Sequence, residues 1–301
     1  MFSKHLTYEV KRKQTDDLRI YSDKEYSFGR DEKHRCWFGR KLFAKDTLSA
    51  PTGLTIQSNN RDILYVCDPY RIQVFNINGD FITSITPELI ISPWAIIVEN
   101  DAILITDIQL CALLVVTEYN VIKIGGAGVG QLDFISPRGM DCDSQGNIYI
   151  ADAAAKRIRV FTSELAFLST IGKGKLDNPI DVKVIKSSLV ILLKYTKSVL
   201  VYSLSGSRQR EIKITPKPAE IFSFITYISS STFLLTTHSG PEHYIISLNL
   251  NGNICKIPSP LFSHGILYLP NQQMLIVASH NGDKKINILK YPFRRNCNAN
   301  M

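Results

Sequence analysis

Residues 134–161 read FISPRGMDCDSQGNIYIADAAAKRIRVF, and three short strands are legible in them. A proline-led apolar strand starts at Pro137. An Asp143-Ser144-Gln145-Gly146 turn follows it, and a second strand ends at Asp152. Ile148 and Ile150 alternate with Tyr149, then Ile158 and Val160 alternate with Arg157 and Arg159. A period of two is the signature of a β-strand. A sheet this small cannot bury its faces alone, so the fold turns on whether the chain supplies neighbours built the same way.

It does. Residues 51–85 repeat the order of parts: Pro51, a polar turn, a strand ending at Asp68, and then Arg71-Ile72-Gln73-Val74-Phe75. A fourth strand follows across Asn78-Gly79-Asp80, residues that accept the positive φ of a tight hairpin. A second unit starts at Pro93 and runs through strands at 102–106 and 112–116. A fourth starts at Pro179, with strands at 189–193 and 199–202. The leading prolines are 42, 44 and 42 residues apart. Two further units lack the proline but keep the strand pattern, at 221–228, 232–237 and 244–248, and at 262–269, 273–278 and 286–291. The last of these runs out of chain before its fourth strand, and residues 18–29, LRIYSDKEYSFG, read as the missing piece.

The expected fold is therefore all-β: a six-bladed β-propeller of four-stranded antiparallel blades, its last blade closed by an N-terminal strand. The propeller spans residues 18–291, between a basic extension at 1–17 and a basic tail at 292–301. Tryptophan-aspartate repeats do not fit, because neither Trp37 nor Trp94 precedes an aspartate.

Composition narrows the class. Hydrophobic residues make up 45% and charged residues 21%, as in an ordinary globular protein. No apolar run reaches spanning length, and MFSKHLTYEVKRKQ lacks the apolar core of a signal peptide. A cytoplasmic protein with no membrane partner is expected. The six cysteines are scattered without a CxxC pair, which suits buried thiols in a reducing compartment. Of the net +8, residues 1–48 carry +4 and residues 284–301 carry +5, so the basic excess sits at the chain ends rather than along one face.

PRGMDCDSQGNIYIADAAAKRIRVF in the third unit, and PTGLTIQ with ILYVCDPYRIQVFNINGDF in the first, resemble NHL repeats. The likeness extends over residues 18–291. It is specific in units one and three and rests on strand periodicity in units five and six. The chain is similar to the propeller of tripartite-motif NHL proteins, which implies a domain that binds protein or RNA. No cysteine-rich RING or B-box and no heptad coiled coil is present in these residues. These residues are therefore not expected to recruit a ubiquitin-conjugating enzyme themselves.

The resemblance also implies where a site would lie. In such propellers the residue after the leading proline sits near the central channel, on the rim that carries the loops between second and third strands. Thr52, Trp94, Arg138, Ile180 and His264 then ring the channel. The loops add Tyr70, Arg71, Gln109, Lys156, Arg157, Lys194, Tyr195 and Lys197. From these the candidate ligand-binding set is Tyr70, Arg71, Trp94, Gln109, Arg138, Lys156, Arg157, Lys194, Tyr195 and His264, with Arg138 and the Lys156-Arg157 pair as features that other units do not copy. Related lyases hold zinc on several such histidines, and lactonase-like propellers hold a divalent metal on convergent acidic and amide groups. One histidine among Thr, Trp, Arg and Ile supplies neither set. No catalytic residue, metal or cofactor is expected.

Other features read as scaffold. Asp68, Asp107 and Asp152 recur at the end of the second strand, where a carboxylate satisfies loop N–H groups. His238 and His243 read as solvated loop residues. Gly125-Gly126-Ala127-Gly128-Val129-Gly130 invites a phosphate-loop reading, but it lacks the Lys-Ser/Thr ending and a following helix. A flexible inter-blade connection is expected there. The functional expectation is a monomeric, non-enzymatic module that binds protein or peptide through its rim. Basic and aromatic groups offer single-stranded RNA as the alternative.

Overall fold

The structure, a computed structural model, describes residues 26–30, 36–42, 48–57, 63–99, 102–118, 120–214, 221–237, 244–258, 263–279 and 286–290. The propeller is present, with six antiparallel sheets. Blade one has strands Leu54–Ile56, Ile63–Asp68, Arg71–Asn76 and Phe81–Ile85. Blade two has Pro93–Glu99, Ala102–Asp107, Ala112–Val116 and Val121–Ile124. Blade three has Pro137–Cys142, Ile148–Asp152, Arg157–Phe161 and Phe167–Ile171. Blade four has Pro179–Ile185, Ser188–Leu193, Ser198–Ser203 and Arg208–Lys213. Blade five has Phe222–Ser229, Thr232–Thr237, Tyr244–Asn249 and Ile254–Pro258. Each blade's first strand packs on the first strand of the next blade, and that of the sixth returns to that of the first. Among the described residues no helix is long and apolar enough to cross a membrane.

The sixth blade departs from expectation in two ways. Its own strands are Ser263–Leu269, Met274–Ser279 and Ile286–Lys290. The fourth place is taken by Cys36–Leu42, antiparallel to Ile286–Lys290 with Leu42 opposite Ile286. Tyr26–Arg30 then adds a fifth strand outside it. The N-terminal closure is as expected, but the closing segment is later in the chain than residues 18–29. The reason lies in the pattern: LRIYSDKEYSFG alternates legibly, whereas CWFGRKL is interrupted by Gly39 and two basic residues. Residues 18–25 lie outside the described set.

Six hydrophobic clusters fill the six junctions between blades. Second and third strands are buried on both faces, so their apolar runs are continuous rather than alternating. Ile103 and Ile105 face blade one, while Leu104 on the same strand faces blade three. The cluster joining Leu64, Val66 and Phe75 to Ile276, Ala278, Ile286 and Ile288 closes the ring between blades six and one.

The first strands expose a free backbone edge to the axis, and neighbouring blades satisfy part of it. Thr52 Oγ1 donates to the Pro93 carbonyl (2.9 Å), Thr106 Oγ1 to Arg138 (2.7 Å) and Thr236 Oγ1 to His264 (2.6 Å). Asp141 accepts from Val184 N–H at 2.8 Å, and Asp181 accepts from Ile225 N–H at 2.9 Å. The approach is close: a Cβ on Gly139 would fall on Asp181, and one on Gly53 would meet the Trp94 carbonyl at 2.4 Å.

Asp181 carries a pH signature. Its burial pushes the carboxyl up to about 6, against the opposing pull of Lys183 and the Ile225 and Val182 N–H groups. A free aspartate titrates near ~3.9. The folded state therefore holds more protons between those values, so this group's contribution to stability is fullest below about pH 4 and declines as pH rises through about 6. By linkage the loss is on the order of 2–3 kcal/mol. Asp181→Asn is expected to gain stability relative to the parent by that order between pH 4 and 7, read from melting curves across the range. A constant difference between the two proteins would refute it.

Candidate binding rim and channel mouth

The recurrent aspartates are scaffold. Asp152 Oδ1 accepts the N–H groups of Ile135 (3.0 Å) and Ser136 (2.9 Å). Asp107 accepts four, from Ile91, Ser92, Gln109 and Leu110. Asp68 accepts from Ser49 and Ala50, both at 2.8 Å. All three carboxylates are fully buried. Each ties the loop entering its blade to the loop between second and third strands. In register, Asp107 stands opposite Pro93 and Asp152 opposite Pro137, so the residue after the proline and this loop share one rim.

Two predicted rim arginines belong to the same scaffold. Arg157 is 6% exposed, and its Nε and Nη2 reach Asp152 Oδ2 at 3.0 and 2.9 Å. Arg71 pairs with Asp68 in the same way, at 2.9 Å through both nitrogens. Arg157 is thus a copy of Arg71, contrary to the expectation that its unit alone carries it. Register explains the likeness: each arginine opens the third strand directly opposite the aspartate that ends the second. The spacing in sequence differs because the intervening loop is longer in blade three.

The remaining loop residues face outward. Tyr70 and Tyr195 are 67% and 65% exposed, Gln109 and Lys156 are exposed, and Lys194 is half-buried with its Nζ 5.8 Å from the Tyr195 ring. Tyr70, Cys111, Lys156 and Lys197 adopt φ of 66°, 50°, 55° and 49°, the left-handed turn repeated in blades one to four. Apart from Lys194 and Tyr195, these groups stand on separate blades.

Trp94, Arg138 and His264 are brought together. Trp94 of blade two stacks on Phe224 of blade five, ring centroids 5.4 Å apart and planes 16° from parallel. Its edge contact with His264 of blade six is 5.1 Å, and His264 meets Phe224 at 5.7 Å. Blades two and five lie opposite one another in a ring of six, so the indole crosses the axis and fills the channel at this level. The Arg138 Cζ lies 4.3 Å from the Trp94 centroid. Arg138 donates from Nε to Ser136 Oγ at 3.3 Å and forms no ion pair among the described residues; burial pulls its pKa down. An aromatic plug capped by an uncompensated guanidinium is what this end of the channel presents.

The bulge that starts the first strand in blades two to six makes this possible. Register shifts by one residue after Pro93, and shifts likewise between Phe222 and Ile225 and between Ser263 and Ile266. A bulge bends the strand and re-aims its side chains. Phe224 has no signal in sequence because its blade lacks the leading proline. Thr52 is committed to its hydrogen bond with Pro93, and Ile180 joins the core of blades four and five. Among the described residues no three of His, Cys, Asp and Glu are grouped to hold a metal ion. His238 and His243 lie outside those residues.

No protein-family profile and no curated protein matches the sequence. Solved structures match in fold. A gluconolactonase from Xanthomonas campestris aligns with TM-score 0.67 and 12% identity over 84% of this chain and 89% of its own. Virginiamycin B lyase from Staphylococcus aureus, with quinupristin, aligns with TM-score 0.61 and 14% identity over 85% and 99%. The WD40 repeats of RRP9 align with TM-score 0.58 and 9% identity over 83% and 96%. The chain is a six-bladed β-propeller, similar in architecture to enzymes and to repeat proteins alike.

Proposed function

We propose that this chain is a non-enzymatic propeller of the NHL type that recognises a protein segment through the rim bearing Arg138. The observation that carries the reading is the cation at the channel mouth. Arg138 lies over Trp94 without a carboxylate, inside a ring of loops that expose Tyr70 and Tyr195. Exposed tyrosines and an unpaired arginine are the side chains that anchor protein interfaces. The uncompensated charge selects an acidic segment. The ring residues favour binding over metal-dependent lyase or lactonase chemistry, since Thr52, Trp94, Arg138, Ile180 and His264 offer one metal ligand between them.

The test is a selection of displayed peptides on the intact protein, with affinities measured for the winners. Acidic peptides are expected to dominate, and Arg138→Glu to weaken them by about 10- to 100-fold, within the range of an interface hot spot. Tyr70→Ala with Tyr195→Ala should lower affinity while leaving the melting temperature unchanged, because both side chains are exposed. Peptides indifferent to all three substitutions would overturn the reading. Binding of an unstructured RNA instead, steeply weakened by salt and abolished by Arg138→Glu, would assign the same rim to nucleic acid.

A further inference from the structure

The glycine run between blades two and three is not a loose connection. Phe134 N–H donates to the Gly126 carbonyl (2.9 Å), Gly128 N–H to Phe134 (3.1 Å), and Gly130 N–H to Asp133 Oδ2 (3.1 Å). The approach is close: a Cβ on Gly128 or Gly130 would stand 2.5 or 2.7 Å from the Asp133 carboxylate, which would have to move away. The folded loop covers the outer strands of blade three and leaves a cavity of about 350 Å³ beneath it, lined by Gln131, Arg157, Arg159, Ser169, Thr170 and Lys173 among others.

Arg159 is the unusual member. It is 3% exposed, and it forms no ion pair among the described residues. Its guanidinium reaches the carbonyls of Gly130 and Asp133 and, at 3.4 Å, Thr170 Oγ1. Its buried Nε–H has no acceptor. Phe167 lies 5.2 Å under the Cζ. Burial and the neighbouring Arg157 pull its pKa down, against the opposing charges of Asp152 and Asp133, so the fold holds a cation here at a cost. Arg157 is balanced by Asp152, while Lys173, exposed at the cavity, has no acidic partner among the described residues. Buried charges are ordinarily paired. This one is hydrogen-bonded by neutral oxygens, with Asp133 and Asp152 acting on it only through space, beside a second unpaired cation and the Thr170 hydroxyl.

We propose that the cavity is a binding site for a phosphomonoester. Two cations with the Thr170 hydroxyl, which shares a face with Arg159, suit a tetrahedral dianion, because guanidinium and ammonium donors make short charge-assisted bonds to phosphate oxygens. The mode differs from a phosphate loop: the N–H groups of Gly128 and Gly130 are already spent within the loop, so side chains do the holding. Phe167 and Val129, the latter 80% exposed, give an apolar wall for the group that bears the ester. The site is separate from the channel mouth and stands whether or not the rim binds protein. The phosphate has two possible sources, a small free ester or a phosphorylated side chain.

The test is isothermal titration of the full chain with inorganic phosphate, with a blocked phosphoserine tripeptide and with its unphosphorylated counterpart. Saturable binding of the phosphate-bearing probes, absent for the unphosphorylated peptide, is expected. Lys173→Glu should weaken it at least tenfold without altering the melting temperature, and Arg159→Gln should abolish it. Lys173→Glu alone decides the matter if Arg159→Gln does not fold. Tyr70→Ala with Tyr195→Ala should leave phosphate binding intact. A tripeptide bound more tightly than phosphate identifies a protein source, and equal affinities identify a free ester. No saturable binding, or binding lost with the rim tyrosines and kept in Lys173→Glu, would overturn the assignment.

Discussion

Asp152→Ala is expected to lower the melting temperature by roughly 6–20 °C, which corresponds to ~3–5 kcal/mol for breaking one side of a buried ion pair. Two costs coincide. The substitution strands Arg157, 6% exposed, with only the Asp133 carbonyl at 3.0 Å as partner. It also releases the N–H groups of Ile135 and Ser136, which fix the entry to blade three. Replacing both members, Asp152→Ala with Arg157→Met, is expected to cost less than the sum of the single losses, because no charge is then left buried. Thermal melts of the three variants measure this directly. Additive losses would show that the pair is not coupled, and a single variant that melts with the parent would show that the pair does not support the fold.

Removal of residues 1–43 is expected to abolish a cooperative melt or to drive association, whereas removal of residues 1–30 should change the melting temperature only slightly. The longer truncation takes away Cys36–Leu42, the strand paired to Ile286–Lys290. An exposed, apolar edge then remains, with Ile286 and Ile288 at the margin of the core between blades six and one. Unpaired edges of this kind recruit other chains. Among the described residues the shorter truncation takes only the outermost strand, Tyr26–Arg30, and leaves the four-stranded blade complete. Circular dichroism melts and size-exclusion chromatography of both truncations separate the cases. Equal stability of the two would refute the assignment of the closing strand.

The candidate site shows where legibility stops. The exposed Tyr70, Gln109, Lys156 and Tyr195 follow from the position of a loop within a repeat, and that position is local information. Arg157 could not be separated from them by its residue type, because a Lys-Arg pair in a loop looks solvated. Only the antiparallel register places it opposite Asp152 and turns its charge inward. The glycine run misled for a related reason. Glycine reads as freedom in a sequence, yet here Gly128 and Gly130 let the Asp133 carboxylate lie against the backbone. Arg159 alternates with Ile158 and Val160, which face blade four, and its own face is covered in part by the loop from the previous blade.

The sequence by itself determined the number of blades, their strand order and the recurring Pro-to-Asp frame, since strand period and turn chemistry act over a few residues and repeat at a regular interval. It also implied that the two chain ends share a blade. Only the tertiary structure decided that Trp94, Phe224 and His264 meet across the axis with Arg138 above them. These residues come from blades two, five, six and three, and nothing local relates them. Closure of the ring brings opposite blades within reach of one side chain, and the bulges at the start of the first strands turn those side chains toward the axis.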